Sequence, residues 1–320
     1  FLKKKKKKKK ISKKIFEKIL KIFSLVKFKN DAIVINTYLP LLYEKFFELL
    51  LFQTPKLWKF DKINYKPFDL KLRSKIQLEI GREKNVNNFI KSNIKEFLPT
   101  CVVESFSDIL KKSENAGFPK NPKFIFTSND FEGNEIFKFY TASLLMKKKT
   151  NYFIGQHGNL YFTDLRIDKY RSEFNSCDKF FTWGHSKPPK FKSLFNFSSF
   201  GRKKYKFQSK KNLLIVVSPL DYKIYPYNSI AQTESGYKNV LKVLKKVDKE
   251  ISKHAVIRLN HQYNSSKGKY YFDKYFKNIP FKIEKGERTF VKARCESKLT
   301  FFNYDSSGIL ENLALNYPTI

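Results

Sequence analysis

Residues Lys123–Asp130 (KFIFTSND) form a short apolar run that ends in a small polar loop. Helical spacing of apolar residues follows over Phe131–Lys147. The next apolar run, Tyr152–Ile154, again ends in a loop of small residues, Gly155–Asn159. Short apolar runs that alternate with helical stretches predict parallel strands joined by helical crossovers. This part of the chain therefore predicts an α/β fold.

The same alternation starts again after residue 211. Asn212–Val217 (NLLIVV) and Ala255–Leu259 (AVIRL) are typical of buried strands, and Ser235–Lys253 has the apolar spacing of a helix. Between Phe200 and Lys211 the chain is charged, which is typical of a linker. The restart predicts two Rossmann-like domains that face each other across a cleft.

The predicted organisation has four parts. Residues 1–30 form a basic amphipathic segment, 31–200 the first domain, 201–211 the linker and 212–320 the second domain. The chain opens without Met, and Pro318–Ile320 has the pattern of a strand that is just beginning. We expect both ends to be cut short and the second domain to be incomplete.

The net charge of +36 raises the possibility of a nucleic-acid partner, which we do not expect. Only 8 of the 65 basic residues are Arg, the residue that base-reading surfaces favour for its bidentate hydrogen bonds. The lysines are either a solvated background or a surface that attracts an anionic partner, such as a membrane or a phosphorylated substrate.

The N-terminal segment leaves a membrane role open. Eight consecutive lysines at residues 3–10 precede Ile11–Phe28, where apolar residues recur at helical spacing. Such a segment either lies on an anionic membrane or packs on the protein. No apolar run reaches ~20 residues and no signal peptide is visible. We expect a cytoplasmic protein, with peripheral attachment to the inner face of the membrane left open.

The strand Leu299–Phe302 leads into the first candidate site. Ser306, Ser307 and Gly308 start the next helix, where free backbone N–H groups and small side chains suit a phosphate. Glu311 can face the same ligand and accept hydrogen bonds from ribose or sugar hydroxyls. The alternatives are helix capping for the serines and an exposed helix position for Glu311.

The loop Gly155–Asn159 supplies the general-base candidate. His157 stands between two glycines at a strand end, a position that packing explains poorly. Asp164 could orient it. The alternatives are a histidine that holds the turn by hydrogen bonds and a solvated Asp164.

A third group lies at the end of the AVIRL strand. Arg258 and His261 could bind the diphosphate of a donor, or Arg258 could pair with a surface carboxylate. The spacing of Cys101, Cys177 and Cys295 indicates no metal site. We predict no metal and no cofactor besides a nucleotide-activated donor.

Four segments resemble the transferases encoded in bacterial O-antigen and surface-carbohydrate loci. They are Pro122–Asp130, Tyr152–Thr163, Cys177–Gly184 and Asn212–Gln232. The resemblance covers roughly residues 120–320. More distantly, the His-Gly loop, the Arg–His strand end and the Ser-Ser…Glu helix resemble capsule Kdo transferases and teichoic-acid glycerophosphotransferases.

This resemblance implies a GT-B-like transferase. Such an enzyme moves a sugar, or a related phosphorylated unit, from a nucleotide donor to a surface polysaccharide or lipid-linked precursor. It implies that His157 is the base and that the donor side holds five residues: Arg258, His261, Ser306, Ser307 and Glu311. His261 departs from the distant relatives because Gln262, not proline, follows it. Two other functions stay open, a basic nucleic-acid-binding protein and a catalytically silent scaffold.

Overall fold

A computed structural model describes most of the chain. The described residues are 18, 20, 22–23, 26, 28–58, 60, 62–79, 81, 84–147, 150–159, 161–162, 171–206, 212–218, 230–264 and 266–320. They fall into two compact units. The first lies within Phe1–His157 and Tyr170–Phe197, and the second within Gly158–Lys169 and Ser198–Ile320.

The first unit is built on a parallel sheet whose strands follow one another in chain order. The strands are β1 (Ile33–Ile35), β2 (Phe124–Thr127), β3 (Asn151–Gly155), β4 (Lys179–Thr182) and β5 (Phe191–Ser193). Each neighbouring pair is parallel. The short apolar runs become strands because both faces of such a sheet are covered.

Helices join these strands. They are α1 (Leu41–Leu50), α2 (Leu70–Ser74), α3 (Val86–Phe97), α4 (Phe106–Asn115), α5 (Asp130–Gly133), α6 (Glu135–Met146) and α7 (Ser172–Ser176). Val34, Phe126 and Phe197 form one buried cluster against the sheet, and Phe47 of α1 packs on it.

The second unit has a parallel sheet with a reversal in strand order. Its strands are β6 (Asn212–Val216), β7 (Ala255–Arg258), β8 (Lys282–Glu284) and β9 (Ser297–Phe302), and their order is β8-β7-β6-β9. From β6 the chain therefore builds outward through β7 to β8, then returns to place β9 on the other side of β6. All three pairings are parallel.

The helices of the second unit supply its aromatic core. They are α8 (Ile230–Lys246), α9 (Lys249–Ser252), α10 (Ser266–Tyr275), α11 (Phe290–Cys295) and α12 (Ser307–Leu313), and a 3₁₀ helix covers His261–Asn264. Tyr237 and Phe276 are fully buried, and their ring centroids lie 5.6 Å apart. Aromatic pairs at this separation add to the stability gained from burial.

The predicted α/β class is confirmed, and the two parallel sheets fit two Rossmann-like domains. The second unit includes the chain from Ser198 onward and the described residues of Gly158–Lys169, an assignment that the sequence pattern does not indicate. The predicted domain boundaries stay a prediction. Most of the predicted N-terminal segment and part of the linker lie outside the described residues. No helix that the described residues form is both long and apolar enough to cross a bilayer.

Candidate functional site

A cavity of about 270 Å³ opens in the second unit at the reversal of strand order. In open parallel sheets, ligands bind outside the carboxyl ends of the strands where the order reverses. Here that point lies between β6 and β9, and the cavity is lined by Val216 from the end of β6 and by Phe302 from the end of β9. The position alone marks the cavity as a candidate binding site.

Five of the six residues predicted for donor binding line this one cavity. They are Arg258, His261, Ser306, Gly308 and Glu311. The sixth, Ser307, is directed towards the chain at Gly158, where an added Cβ would lie 3.5 Å from its Oγ. Phe290, Phe302 and Tyr304 give the cavity an aromatic part.

Ser306 is the N-cap of α12, and its Oγ accepts a hydrogen bond from the Gly308 N–H at 3.2 Å. Capping is therefore one role of this serine. Its carbonyl accepts a hydrogen bond at 2.9 Å from the side-chain amide of Asn159, which also donates to Asp305. The buried Asn159 thus fixes the start of α12 from a distant part of the chain.

Arg258 does not present a free charge to the cavity. Its guanidinium pairs with Glu284 at the end of β8 and donates to the Arg288 carbonyl at 2.7 Å. Glu284 in turn accepts from the Arg288 backbone N–H at 2.9 Å. A role of Arg258 in holding the wall of the cavity is therefore evident, and direct contact with a phosphate stays a prediction.

Glu311 and His261 differ in their surroundings. One carboxylate oxygen of Glu311 lies 3.7 Å from the guanidinium of Arg202, so that part of its charge is balanced. His261 is exposed at the start of the 3₁₀ helix. Of the two residues proposed to bind a phosphate, His261 therefore has a more accessible side chain than Arg258.

Gly286 brings a loop against the backbone of His261. Its φ is +76°, and an added Cβ would lie 2.7 Å from the His261 backbone nitrogen. Only glycine adopts this conformation without strain, and a neighbouring backbone atom cannot move aside as a flexible side chain could.

Replacing Gly286 by alanine is expected to lower the free energy of unfolding of the second unit. The left-handed conformation alone costs about 1–2 kcal/mol, and the close contact adds to it. Urea unfolding followed by circular dichroism measures the change. Gly133→Ala is the matched control, because nothing lies within 4 Å of its added Cβ. Equal stabilities of the two variants would contradict the prediction.

The base candidate His157 lies in the first unit. Its Nε2 is 3.1 Å from Oε1 of Glu132, and its ring centroid lies 5.8 Å from that of Tyr38 and 5.9 Å from that of Phe131. Its side chain is 18% exposed, so it is partly covered yet open to solvent. The predicted partner, Asp164, lies outside the described residues.

Glu132 is therefore the carboxylate that the described structure brings to His157. Glu132 is not among the residues predicted from the sequence, although its short helix α5 directly follows the polar loop Ser128–Asn129 at the end of β2. Glu132 and His157 are 25 residues apart in the sequence, and a separation of this length does not predict contact between them. Only the pairing of β2 with β3 brings their following loops together.

Polar side chains hold the neighbouring strand ends together. Asn36 donates to Asp130 at 3.1 Å, and Asn129 donates to the Tyr38 hydroxyl at 3.2 Å. Asn36 and Tyr38 have φ values of +47° and +66°, a region that asparagine tolerates but that tyrosine rarely adopts. Burial raises the pKa of Asp130 above its ordinary value. Strained backbone of this kind is concentrated at functional sites, which supports a role for this loop cluster.

Within the part of the chain that the structure describes, no three His, Cys, Asp or Glu side chains group to hold a metal ion. The prediction that no metal takes part stays a prediction.

Residues 2–320 match the family model described as LIC12162 family transferase. The chain belongs to the LIC12162 family of transferases. The predicted membership of a transferase family is thereby confirmed. No curated protein matches this LIC12162 family chain.

Two solved structures illustrate what this LIC12162 family chain is similar to. One is the co-structure of S. aureus MnaA with UDP, at 14% identity and a TM-score of 0.43, covering 67% of this chain and 60% of that one. The other is UDP-N-acetylglucosamine 2-epimerase from Rickettsia bellii, at 15% identity and a TM-score of 0.41, covering 68% of this chain and 60% of that one. The chain therefore spans about three fifths of the length of these proteins.

Proposed function

We propose that this transferase moves a sugar, or a related phosphorylated unit, from a nucleotide-activated donor to a surface polysaccharide or its lipid-linked precursor. One observation carries the proposal. In the second unit, five residues that suit a phosphorylated sugar line one cavity at the reversal of strand order. The family supports transfer chemistry in general.

The chemistry of the cavity suits the parts of such a donor. The imidazole of His261 can donate to a phosphate oxygen, and Glu311 can accept from ribose or sugar hydroxyls. The rings of Phe290, Phe302 and Tyr304 offer apolar surface to a base or a sugar face. At about 270 Å³ the cavity is just below the usual range for small-molecule sites, so it suits part of the donor rather than all of it.

In the proposed reaction, an acceptor hydroxyl oxygen forms a bond to the anomeric carbon of the sugar. The bond between that carbon and the donor phosphate breaks, and the nucleoside phosphate leaves with the electron pair. His157 takes the proton of the acceptor hydroxyl, and Glu132 at 3.1 Å stabilises the imidazolium that results. No metal or further cofactor is part of the proposal, in which His261 and the backbone N–H groups at the start of α12 bind the leaving phosphate.

A thermal-shift screen tests donor binding. The protein is melted with CMP-, CDP-, UDP-, GDP- and dTDP-linked sugars, and one nucleotide class is expected to raise Tm. Ligand at 100 times its Kd stabilises the folded state by about 2.7 kcal/mol. His261→Ala is expected to weaken the shift.

The chain offers a matched control for that variant. His254 directly precedes β7, whereas His261 follows it, so the two histidines flank the opposite ends of one strand. His254→Ala is expected to keep the full shift. The proposal fails if no donor raises Tm, or if both variants lose the shift equally.

A further inference from the structure

Helix α1 buries its charged side chains and exposes one face of apolar side chains. Its charged residues Glu44, Lys45 and Glu48 are buried, whereas its apolar residues Leu42, Phe46 and Leu49 are more than half exposed. Leu42, Phe46 and Leu49 follow the i, i+4, i+7 spacing of one helix face. An ordinary surface helix points such a face at the core. This one points it away.

Ionic contacts explain how α1 is held in this orientation. Lys45 pairs with Glu44 at 3.1 Å and with Glu48 at 3.0 Å. Glu48 also accepts from the Lys56 backbone N–H at 2.8 Å, and Glu44 accepts from the Thr37 hydroxyl at 2.7 Å. The charges on the inner face are thus paired and hydrogen-bonded, as buried charges must be. The outward direction of the apolar face is built into the fold.

Phe52 extends this apolar face in a conformation that favours glycine. The end of α1 is a Schellman motif, in which the Phe52 N–H bonds to the Leu49 carbonyl and the Gln53 N–H to the Glu48 carbonyl. Phe52 takes the left-handed position with φ of +57°, and it is 98% exposed. Glycine is the residue that suits this position. For folding alone, an exposed phenylalanine here is a poor choice.

The same face borders an apolar groove of about 510 Å³. Leu42, Phe46, Leu49 and Phe52 line one part of it. Leu20, Phe23 and Phe28, from the lysine-rich start of the chain, line another. Residues 3–29 carry fourteen lysines against one acid, Glu17. Three described residues of the most cationic part of the sequence therefore line the same groove as the apolar face of α1.

We propose that this surface, defined by Leu42, Phe46, Leu49, Leu50 and Phe52, docks on an anionic lipid bilayer. The apolar side chains enter the boundary between headgroups and acyl chains, and the positive charge that the sequence carries over residues 3–29 attracts the anionic lipid. The positive charge of the adjoining segment favours an anionic bilayer over a second copy of this chain as the partner, because a second copy would bring the same positive charge to the interface. The proposal does not depend on the chemistry of the donor site.

Phe52→Gly separates a membrane role from a structural one. Glycine relieves the left-handed backbone, so this variant is expected to melt at a higher temperature than the natural chain. Loss of one aromatic side chain that the bilayer would bury is expected to lower the vesicle partition coefficient about tenfold. If Phe52 served stability alone, Phe52→Gly would have a lower Tm than the natural chain. That result would overturn the proposal.

The measurement is co-sedimentation of the whole chain with vesicles. One set contains phosphatidylcholine alone, and the other contains phosphatidylcholine with phosphatidylglycerol. We expect the natural chain to bind the anionic vesicles, and to bind them more weakly but still measurably at high salt. We expect Phe52→Gly to bind them about tenfold more weakly than the natural chain. No binding to anionic vesicles, or equal binding by the variant, would refute the docking surface.

Two further variants serve as controls. Asn316→Gly replaces another left-handed residue in the second unit, and Met146→Ser removes an apolar side chain that is 86% exposed elsewhere in the first unit. Both are expected to bind vesicles like the natural chain. If either loses as much binding as Phe52→Gly, the effect is not specific to this surface. Light scattering that shows a dimer, lost only in Phe52→Gly, would assign the face to a second copy instead.

Discussion

His157→Ala is expected to lower kcat for sugar transfer by about 10²–10⁴-fold. A positioned general base contributes this much to a proton-transfer step. His157 is partly covered by Tyr38 and Phe131, and its Nε2 is held 3.1 Å from Glu132. The alanine variant keeps the fold of the loop but leaves the acceptor hydroxyl without a proton acceptor.

The assay measures nucleotide release at saturating concentrations of the donor that raises Tm. His185→Ala is the control, since His185 is an exposed histidine that follows a neighbouring strand, β4. It is expected to turn over normally. The thermal shift with donor is expected to survive in His157→Ala, because the proposed donor residues belong to the second unit. Unchanged kcat in that variant would exclude His157 as the base.

Glu48→Gln is expected to remove the contribution of Glu48 to the pH dependence of stability between about pH 4.5 and pH 7, whereas the contribution of Asp130 is the same in both proteins. Burial raises the pKa of the Glu48 carboxyl to about 7, and Lys45 opposes this only in part. The folded state therefore binds a proton that the unfolded state has already released in this range. Stability falls as the pH rises through it.

The size of this effect follows from the shift. A pKa that rises from 4.5 to about 7 on folding corresponds to about 3 kcal/mol in the free energy of unfolding. This stabilisation is present at pH values below 4.5 and is lost above pH 7. Urea unfolding of the natural chain and of Glu48→Gln at pH 5 and pH 8 measures it. The variant gains relative stability at pH 8, because glutamine cannot ionise. Glu79→Gln, at an exposed position, is the control and is expected to change neither value.

The Glu104 carboxyl changes stability at a lower pH, so it does not obscure the comparison of the natural chain with Glu48→Gln. Arg73 holds the pKa of the Glu104 carboxyl down to about 2 through two hydrogen bonds. Its contribution to stability is present above pH 4.5 and is lost as the pH falls towards 2. A difference between natural chain and Glu48→Gln that stays constant from pH 5 to pH 8 would contradict the prediction for Glu48.

The strands with strong local signals were predictable. KFIFT, YFI, NLLIVV and AVIRL all became buried parallel strands, because continuous apolar runs of this length suit a sheet covered on both faces. The edge strands β5 and β8 escaped prediction. Each has three residues, and Phe191–Ser193 exposes two of its three side chains. Such a strand exists through pairing with its neighbour rather than through its own composition.

The loops of the candidate site were predictable from the sequence, but the contacts that their residues make were not. Arg258 is the last residue of a strand, and His157 and Ser306 follow strand ends that the sequence alone located. The partners Glu132, Glu284 and Asn159 lie 25, 26 and 147 residues away in the chain. No local pattern encodes such distances, because strand order decides which loops become neighbours.

By itself, the sequence determined that the chain is α/β and that its chemistry-bearing residues stand at the carboxyl ends of strands. Only the tertiary structure decided the order β8-β7-β6-β9, which creates the cavity, and the direction of α1. The period of a helix fixes which residues share a face. Which face is buried depends on partners supplied from elsewhere, and here Thr37 and Lys56 satisfy the charged face and leave the apolar one outside.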